Sequence, residues 1–456
     1  MPVDSPTKLQ TLFSKYQAPP LVYLDMIPAH GLGIENFYPR YSLLCLYDTP
    51  DTEQLKKDGV NITTLRSKLE QPQKISPRRS DLPLDSQIGA ILKKEKPALL
   101  MFNISDEAES WCEQNNIPVL LSQRKLRDKF SDKHALDEIL GQLDIPNIPG
   151  EITTATAEKI FAAQRKFGTF VIQLSKEGAG SSTFFIKKES DIDNFLSERQ
   201  NEKIKIKQFI VGPSPSVMAC ATKHGTIHTP VFSQLIGHPA LTKRPGQWCG
   251  NEYGGQQYPP ATVNKIYQYT KSLGEYLFKH GYQGIFGLDF IIDQQTNEPF
   301  VIEINSRFVG STGFFTDLYL SHNLAPLIGY HLLELLDIPY EIDVPKINSW
   351  QPQENYSLII LPNNSPHPKF IRNFMASGIY NQDLKFKKPS FSIADLQNNS
   401  LLIKDCLPAK SLWPPSKPML RIYRRGKLFT DDKKTALPWV EKIASAAYDK
   451  LNLRSN

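Results

Sequence analysis

The sequence lacks most features of secreted, zinc-binding and membrane-spanning proteins. Its 456 residues include only five cysteines, which are scattered and form no CxxC pair, so we expect neither a disulfide framework nor a cysteine-based zinc site. No apolar run approaches the roughly 20 residues that a membrane-spanning helix needs. The N-terminal residues lack the basic and apolar regions of a signal peptide. These absences predict a cytoplasmic protein that does not enter a membrane.

A large excess of one charge is also missing. The net charge is only +6, so nothing suggests a nucleic-acid or anionic membrane partner. The hydrophobic fraction of 40% is sufficient for ordinary packed cores, and the length predicts two to four structural units. The composition is as compatible with a homodimer as with a monomer.

Short apolar runs alternate with helical patterns through the first 125 residues. Such runs are typical of strands buried in a parallel sheet, and they lie at residues 21–24, 42–47, 98–102 and 119–121. The pattern predicts a small doubly wound domain. Gly31-Leu-Gly33 follows the first strand, where a two-glycine turn could approach a ligand or simply reverse the chain.

Residues 284–312 hold the most informative pattern, two apolar runs around the polar turn 293–298. The first run keeps four apolar residues on one face and places Asp289 on the other; the apolar set is Phe286, Leu288, Phe290 and Ile292. In the second run, alternation puts Val301 on the same face as Glu303, Asn305 and Arg307. The opposite face, directed towards a core, would carry Phe300, Ile302 and Ile304.

The hairpin should therefore bring Asp289, Glu303 and Asn305 together, with Arg307 one step further along. Three hard oxygen ligands beside a cation predict a site for Mg²⁺ and phosphate. The alternative is a hairpin whose outer face is merely polar.

Other segments could contact a phosphorylated ligand. Two Asp-Lys pairs, Asp128-Lys129 and Asp132-Lys133, precede a helical pattern at residues 136–143. A strand leads into a loop of small residues that could bring backbone N–H groups close to phosphate; the loop residues include Gly178, Gly180, Ser181 and Ser182. Residues 237–255 are predicted to be a loop.

This ordered set of segments resembles the ATP-grasp superfamily, in particular its carboxylate–amine ligases. The resemblance implies an α/β (α+β) protein with an N-terminal doubly wound pre-grasp domain at residues 1–125. An ATP-grasp region would follow at 126–340, with central and lid subdomains and the lid at about 150–212. Residues 341–456 would form a C-terminal α+β extension.

The resemblance also implies roles for individual residues. Lys133 would reach the α-phosphate, and the loop from Gly178 to Ser182 would cover the β- and γ-phosphates. Adenine would be bound by the carbonyl of Gln208, the side chain of Phe209 and the amide of Ile210. Mg²⁺ would be bound by Asp289, Glu303 and Asn305, and Arg307 would stabilise an acyl phosphate.

Two positions depart from the family pattern. The strand before the lid usually carries a lysine near Gln173, and glutamine can donate a hydrogen bond but brings no charge. Lys176, three residues further on, could compensate. Many relatives have an acid that binds the ribose where this chain has Ser214, so the ribose contact stays unassigned.

The function implied is ATP-dependent joining of a small carboxylate to an amine. The reaction would pass through an acyl phosphate and release ADP and phosphate. One alternative within the superfamily is a ligase of the biotin-carboxylase or purine-pathway type, acting on bicarbonate or a nucleotide. The other is a non-catalytic, regulatory ATP-binding protein.

Overall fold

The structure is a computed structural model that describes residues 2–66, 73–74, 78–175, 183–255, 258–370, 374–404, 407 and 411–451. Helices and strands are both abundant, which confirms the predicted mixed α/β class. Among the described residues, no helix is both long and apolar enough to cross a membrane.

The N-terminal part is built on a four-stranded parallel sheet. Its strands and helices are α1 (Pro6–Lys15), β1 (Leu21–Asp25), β2 (Tyr41–Tyr47), α2 (Thr52–Lys57), β3 (Ile62–Arg66), β4 (Gln73–Lys74), α3 (Ser86–Glu95), β5 (Ala98–Leu100) and α4 (Asp106–Gln114), with 3₁₀ turns at Ile34–Asn36 and Arg79–Leu84. The sheet order is β3-β2-β1-β5. All five residues of β1 are buried, as expected of a central parallel strand. The predicted strand at 119–121 forms only an isolated bridge between Val119 and Leu99.

A second, antiparallel sheet follows. Its segment contains α5 (Arg124–Ser131), α6 (Leu136–Gln142), β6 (Gly150–Thr154), α7 (Ala157–Phe167), β7 (Phe170–Gln173), β8 (Thr183–Ile186), α8 (Glu189–Arg199) and β9 (Lys203–Gln208). The strand order is β6-β9-β7-β8. One face is apolar and packs with α7 and α8 into a separate core that includes Ile172, Ile204 and Ile206. Period-two alternation leaves Gln173 and Lys205 on the opposite face.

The rest of the chain contains the largest sheet, which has eleven strands, and part of a small sheet. The elements are β10 (Pro215–Thr222), β11 (Gly225–His228), β12 (Phe232–Ile236), β13 (Trp248–Tyr253), α9 (Pro260–Lys279), β14 (Gly284–Ile292), β15 (Pro299–Asn305), α10 (Thr312–Ser321), α11 (Leu327–Leu335), α12 (Val344–Asn348), β16 (Tyr356–Pro362), β17 (Lys369–Phe370), β18 (Gly378–Asn381), β19 (Phe386–Pro389), β20 (Ser400–Lys404), β21 (Ser411–Trp413), β22 (Pro418–Arg425) and α13 (Trp439–Leu451), with a 3₁₀ turn at Ile393–Asp395. The order is β15-β14-β10-β12-β13-β16-β22-β20-β18-β19, and β11 pairs with β10. A small sheet joins β17, β21 and β4.

Two consequences of this topology correct or extend the sequence analysis. Residues 237–255 are not all loop, because β13 is inserted between β12 and β16 and is buried there. Strands from the C-terminal part continue the sheet that carries β14 and β15. The divisions near residues 125 and 340 stay predictions.

A β-bulge in the β14–β15 hairpin overturns part of the predicted face pattern. Asp289 lies opposite Glu303, but Phe290 lies opposite Val301, so Ile302 is an extra residue in β15. Val301 therefore joins the core instead of the polar face, and Phe300 and Ile302 are only half-buried. The prediction was wrong for these three residues because strict alternation cannot anticipate an inserted residue. Ile304 packs in the core as predicted.

Candidate nucleotide and metal site

Asp289 is the most enclosed carboxylate of the hairpin, and it is positioned by three neighbouring strands. One of its oxygens accepts hydrogen bonds from Ser216 Oγ at 2.7 Å and Gln234 Nε2 at 2.8 Å. The other accepts from Asn305 Nδ2 at 2.9 Å. Burial raises the pKa of Asp289, while the hydrogen bonds from Ser216 and Asn305 and the charge of Arg307 act in the opposite direction.

Glu303 lies directly opposite Asp289 on β15. Its Oε1 is 3.6 Å from Nζ of Lys133, which sits between α5 and α6 with a side chain only 3% exposed. Burial raises the pKa of Glu303; Lys133 lowers it, and the neighbouring Asp289 carboxylate raises it further. Two desolvated carboxylates side by side form a place where a divalent cation would relieve both burial and repulsion.

The donor set fits Mg²⁺. Within the part of the chain that the structure describes, no three His, Cys, Asp or Glu side chains are grouped to hold a metal. The set here is instead two carboxylates, Asp289 and Glu303, with the carboxamide of Asn305. Mg²⁺ is commonly bound in proteins by one or two carboxylates together with phosphate oxygens of the substrate.

Arg307 follows the end of β15 and is held against its own strand. Its Nη2 donates to Asn305 Oδ1 at 2.9 Å and its Nη1 to the carbonyl of Phe308 at 3.0 Å. The guanidinium is thereby tied to the same carboxamide that contacts Asp289. The structure thus connects all four residues predicted from the hairpin.

A cavity of about 510 Å³ opens beside the residues that follow Arg307. Its walls come from three parts of the chain, namely residues 29–36, 308–317 and 389–395, with further contributions from β20 and β22. Gly33 lines it with a φ of +103°, and a Cβ there would lie 2.9 Å from Thr316 Cγ2, so glycine is required by both conformation and space. Leu32 and Gly33 of the predicted two-glycine turn therefore border a ligand-sized space.

The cavity wall carries fixed ionic groups. Asp317 accepts from Lys404 Nζ at 2.8 Å, Ser392 Oγ at 2.7 Å and the backbone N–H of Ile393 at 2.9 Å. On the adjacent strand β22, Arg421 pairs in register with Lys404 and donates to His30 at 2.9 Å. A small polar metabolite would find partners of both signs there.

The residues predicted to bind the adenine lie where the second sheet joins the hairpin. Gln208 ends β9, and Phe209 and Ile210 follow it, all three half-buried. The ring of Phe209 packs edge-on against Phe185 on β8, with the ring centres 6.0 Å apart. The chain then turns at Gly212, whose Cβ would clash with the carbonyl of Ile292 at the end of β14.

The remaining predicted phosphate contacts are only partly visible. Gln173 is the last residue of β7 and is half-buried. The lid residues lie outside the described residues; they are Lys176, Gly178, Gly180, Ser181 and Ser182.

Sequence reasoning missed three polar groups around this site. Ser216 and Gln234 hold Asp289, and Lys205 lies beside Lys133 and donates to its carbonyl oxygen at 2.8 Å. Alternation in β9 provided a signal for Lys205, since lysines and isoleucines alternate from Lys203 to Lys207. Nothing local marked Ser216 or Gln234, because their role depends on strand neighbours distant in sequence.

Comparison with known proteins agrees with this architecture. Residues 128–311 match the family model described as an ATP-grasp domain, so this chain carries an ATP-grasp domain. Asp289, Glu303, Asn305, Arg307 and Lys133 all lie within the matched residues.

Several solved structures share the fold over nearly the whole chain. Biotin carboxylase from Campylobacter jejuni is 13% identical, with a TM-score of 0.62, and the match covers 90% of this chain and 88% of that one. N5-carboxyaminoimidazole synthase from Aspergillus clavatus, in complex with ADP and 5-aminoimidazole ribonucleotide, is 12% identical, with a TM-score of 0.55 and coverage of 95% and 98%. The biotin carboxylase domain dimer of Hydrogenobacter thermophilus 2-oxoglutarate carboxylase, in complex with MgADP, ADP and bicarbonate, is 11% identical, with a TM-score of 0.59 and coverage of 90% and 86%.

Proposed function

We propose that the protein is an ATP-dependent ligase that joins a small carboxylate to an amine and releases ADP and phosphate. The observation that carries this proposal is the convergence of Asp289, Glu303 and Asn305 with Lys133 and Arg307, next to a cavity of about 510 Å³. Transfer of a γ-phosphoryl group to a carboxylate requires a site for the metal and the triphosphate, with a substrate cavity beside it.

The residues divide the work as follows. Asp289, Glu303 and Asn305 would hold Mg²⁺, which neutralises charge on the β- and γ-phosphate oxygens and orients them for transfer. Lys133 adds a buried cation at the edge of this set. Arg307 directly precedes two residues that line the cavity, Phe308 and Val309, and would stabilise the anionic acyl phosphate and the tetrahedral species formed when the amine attacks.

The cavity supports a small, polar substrate pair. Its ionic groups, Asp317 with Lys404 and Arg421 with His30, suit an amino acid or a related metabolite. The Gly33 turn and the segment after Arg307 border the same space, so a substrate bound there would lie beside the residues that directly follow Arg307.

Bicarbonate is a second candidate for the carboxylate. The fold neighbours include a domain complexed with bicarbonate and a carboxyaminoimidazole synthase, which motivates this reading. A regulatory ATP-binding protein is the third possibility, and it predicts nucleotide binding without turnover.

The experiment is a pairwise screen for phosphate release. Purified protein with MgATP is incubated with single carboxylates, bicarbonate, single amines and their pairs, and both ADP and phosphate are quantified. Release that needs an organic acid and an amine together supports the proposal; release with bicarbonate favours the second reading. Tight MgATP binding with no turnover across a broad panel would favour the regulatory reading. Glu303→Gln serves as the inactive reference.

A further inference from the structure

The polar face of the β6-β9-β7-β8 sheet is directed towards Lys133 and the start of α6. On this face Lys205 Nζ lies 2.8 Å from the carbonyl oxygen of Lys133 and 2.7 Å from Oδ1 of Asp137. The opposite face is filled by the apolar core with α7 and α8. The side chains at Gln173 and Lys205 therefore point to the region where the phosphates are proposed to bind.

Gln173 and Lys205 are direct partners across the β7–β9 pair. Directly opposite residues of antiparallel strands have their Cβ atoms about 4.5–5.5 Å apart and their side chains on the same face. A lysine at either position, 173 or 205, can consequently place its ammonium group in the same region. Gln173 itself brings no charge to that space.

Burial of the Lys205 ammonium carries a desolvation penalty. Its side chain is only 3% exposed, and burial lowers its pKa, which Asp137 partly offsets. The second oxygen of Asp137 pairs with Lys207 Nζ at 2.7 Å, so Asp137 keeps one cation when Lys205 is absent. Lys205 can thus turn to another anion while Lys207 keeps Asp137 paired.

We infer that Lys205 is a phosphate-binding cation of the nucleotide site, supplying from β9 the charge that Gln173 does not supply from β7. The inference rests on the nucleotide site of the proposed function and extends it by one residue. Lys133 then approaches the triphosphate from the loop before α6, and Lys205 approaches it from the β6-β9-β7-β8 sheet.

The test measures the dissociation constant of MgATP, together with the KM for ATP where turnover is available. Lys205→Gln should weaken binding about 10- to 100-fold, the range expected for one lost charge-assisted hydrogen bond. Lys203→Gln is the matched control, because Lys203 lies on the same strand and face but is exposed. It should bind MgATP as the wild type does.

Two double variants separate phosphate binding from a structural role. Gln173→Lys combined with Lys205→Gln moves the cation across the strand pair and should regain most of the lost affinity. Asp137→Asn combined with Lys205→Gln removes the carboxylate that a lost lysine would leave less well paired, so it should fold even where the single variant does not. If Lys205 binds phosphate, this second double variant still binds MgATP weakly.

The inference is overturned if the Asp137→Asn double variant binds MgATP like the wild type, since Lys205 would then serve only to neutralise Asp137. It also fails if Lys205→Gln and Lys203→Gln bind equally well. Direct binding of MgATP does not require the ligase substrates, so a negative result here is distinguishable from failure of the ligase proposal.

Discussion

Asp289 and Glu303 face each other across two antiparallel strands, and the bulge that follows returns Phe290 and Val301 to the core. The two carboxylates are therefore fixed side by side by backbone pairing and do not depend on flexible side chains for their approach. Burial raises the pKa of both, which means that their joint ionisation is unfavourable without a cation. This arrangement determines the first two predictions.

Glu303→Gln and Asn305→Ala should each lower ATP turnover by about 100-fold or more, as expected when a charge-stabilising group is removed from a preorganised site. Neither change should unfold the protein, because the Glu303 side chain is 27% exposed and Asn305 lies at the end of its strand. Steady-state phosphate release and circular dichroism would measure the two effects.

Glu298→Gln is the matched control for this experiment. Glu298 lies in the turn of the same hairpin and pairs with Lys265, away from the acid cluster. Its turnover should stay near that of the wild type. Near-normal Mg²⁺-dependent turnover in both Glu303→Gln and Asn305→Ala would remove the metal assignment.

Mg²⁺ with a non-hydrolysable ATP analogue should raise the melting temperature of the wild type more than the analogue does with EDTA. Ligands that bind only the folded state stabilise it by mass action. In Glu303→Gln the Mg²⁺-dependent part of the shift should largely disappear, because one of the proposed metal-binding carboxylates is gone. Differential scanning fluorimetry measures these shifts. An unchanged Mg²⁺-dependent shift in Glu303→Gln would contradict the site.

The sequence was sufficient to predict the hairpin and its polar set because those residues are close in sequence and follow strand alternation. Alternation failed at Ile302, where one extra residue reverses the faces of Phe300 and Val301. A bulge is decided by how the two strands pair and leaves no local mark in composition.

Contacts between distant segments could not be predicted either. Ser216 and Gln234 hold Asp289 only because β10 pairs with β14 and β12 lies on the other side of β10. Similarly, because position 173 is glutamine, the sequence suggested Lys176, three residues further on, as the compensating cation. The strand register instead places Lys205 directly opposite Gln173. Sheet order supplies this information, and a single sequence does not.

A buried histidine should make the protein acid-sensitive. Nδ1 of His331 accepts from the N–H of Ile285 at 3.0 Å, so Nε2 carries the proton and donates to the carbonyl of Leu120 at 3.0 Å. Burial lowers the pKa of His331 to about 4. Between its unfolded value near 6.5 and about 4, the unfolded chain binds a proton that the folded chain does not, so stability is lost as pH falls through this window.

His331→Gln should consequently lose less stability than the wild type between pH 7.5 and 5, with a difference of about 2 kcal/mol in the apparent free energy of unfolding. Urea titrations at the two pH values give this quantity. His367→Gln, at an exposed position, is the control and should retain the full pH dependence. Equal pH dependence in His331→Gln and wild type would show that His331 does not titrate as its burial indicates.

The reaction type can be tested before the natural amine is known. If γ-phosphoryl transfer produces an acyl phosphate, hydroxylamine added with MgATP and the correct carboxylate should trap a hydroxamate. Arg307 is placed to stabilise that species, because it is tied to Asn305 and directly precedes Phe308 and Val309, which line the cavity. Arg307→Lys, which keeps the charge but loses the planar fork, should trap much less hydroxamate while binding MgATP normally.

The nucleotide product should be ADP, since the metal-binding set and Arg307 lie together where the γ-phosphate would meet the substrate. Phosphate should carry one oxygen from labelled carboxylate. Stoichiometric AMP and pyrophosphate would show that the carboxylate attacks the α-phosphate instead, and that Arg307 and the acid cluster serve an adenylate.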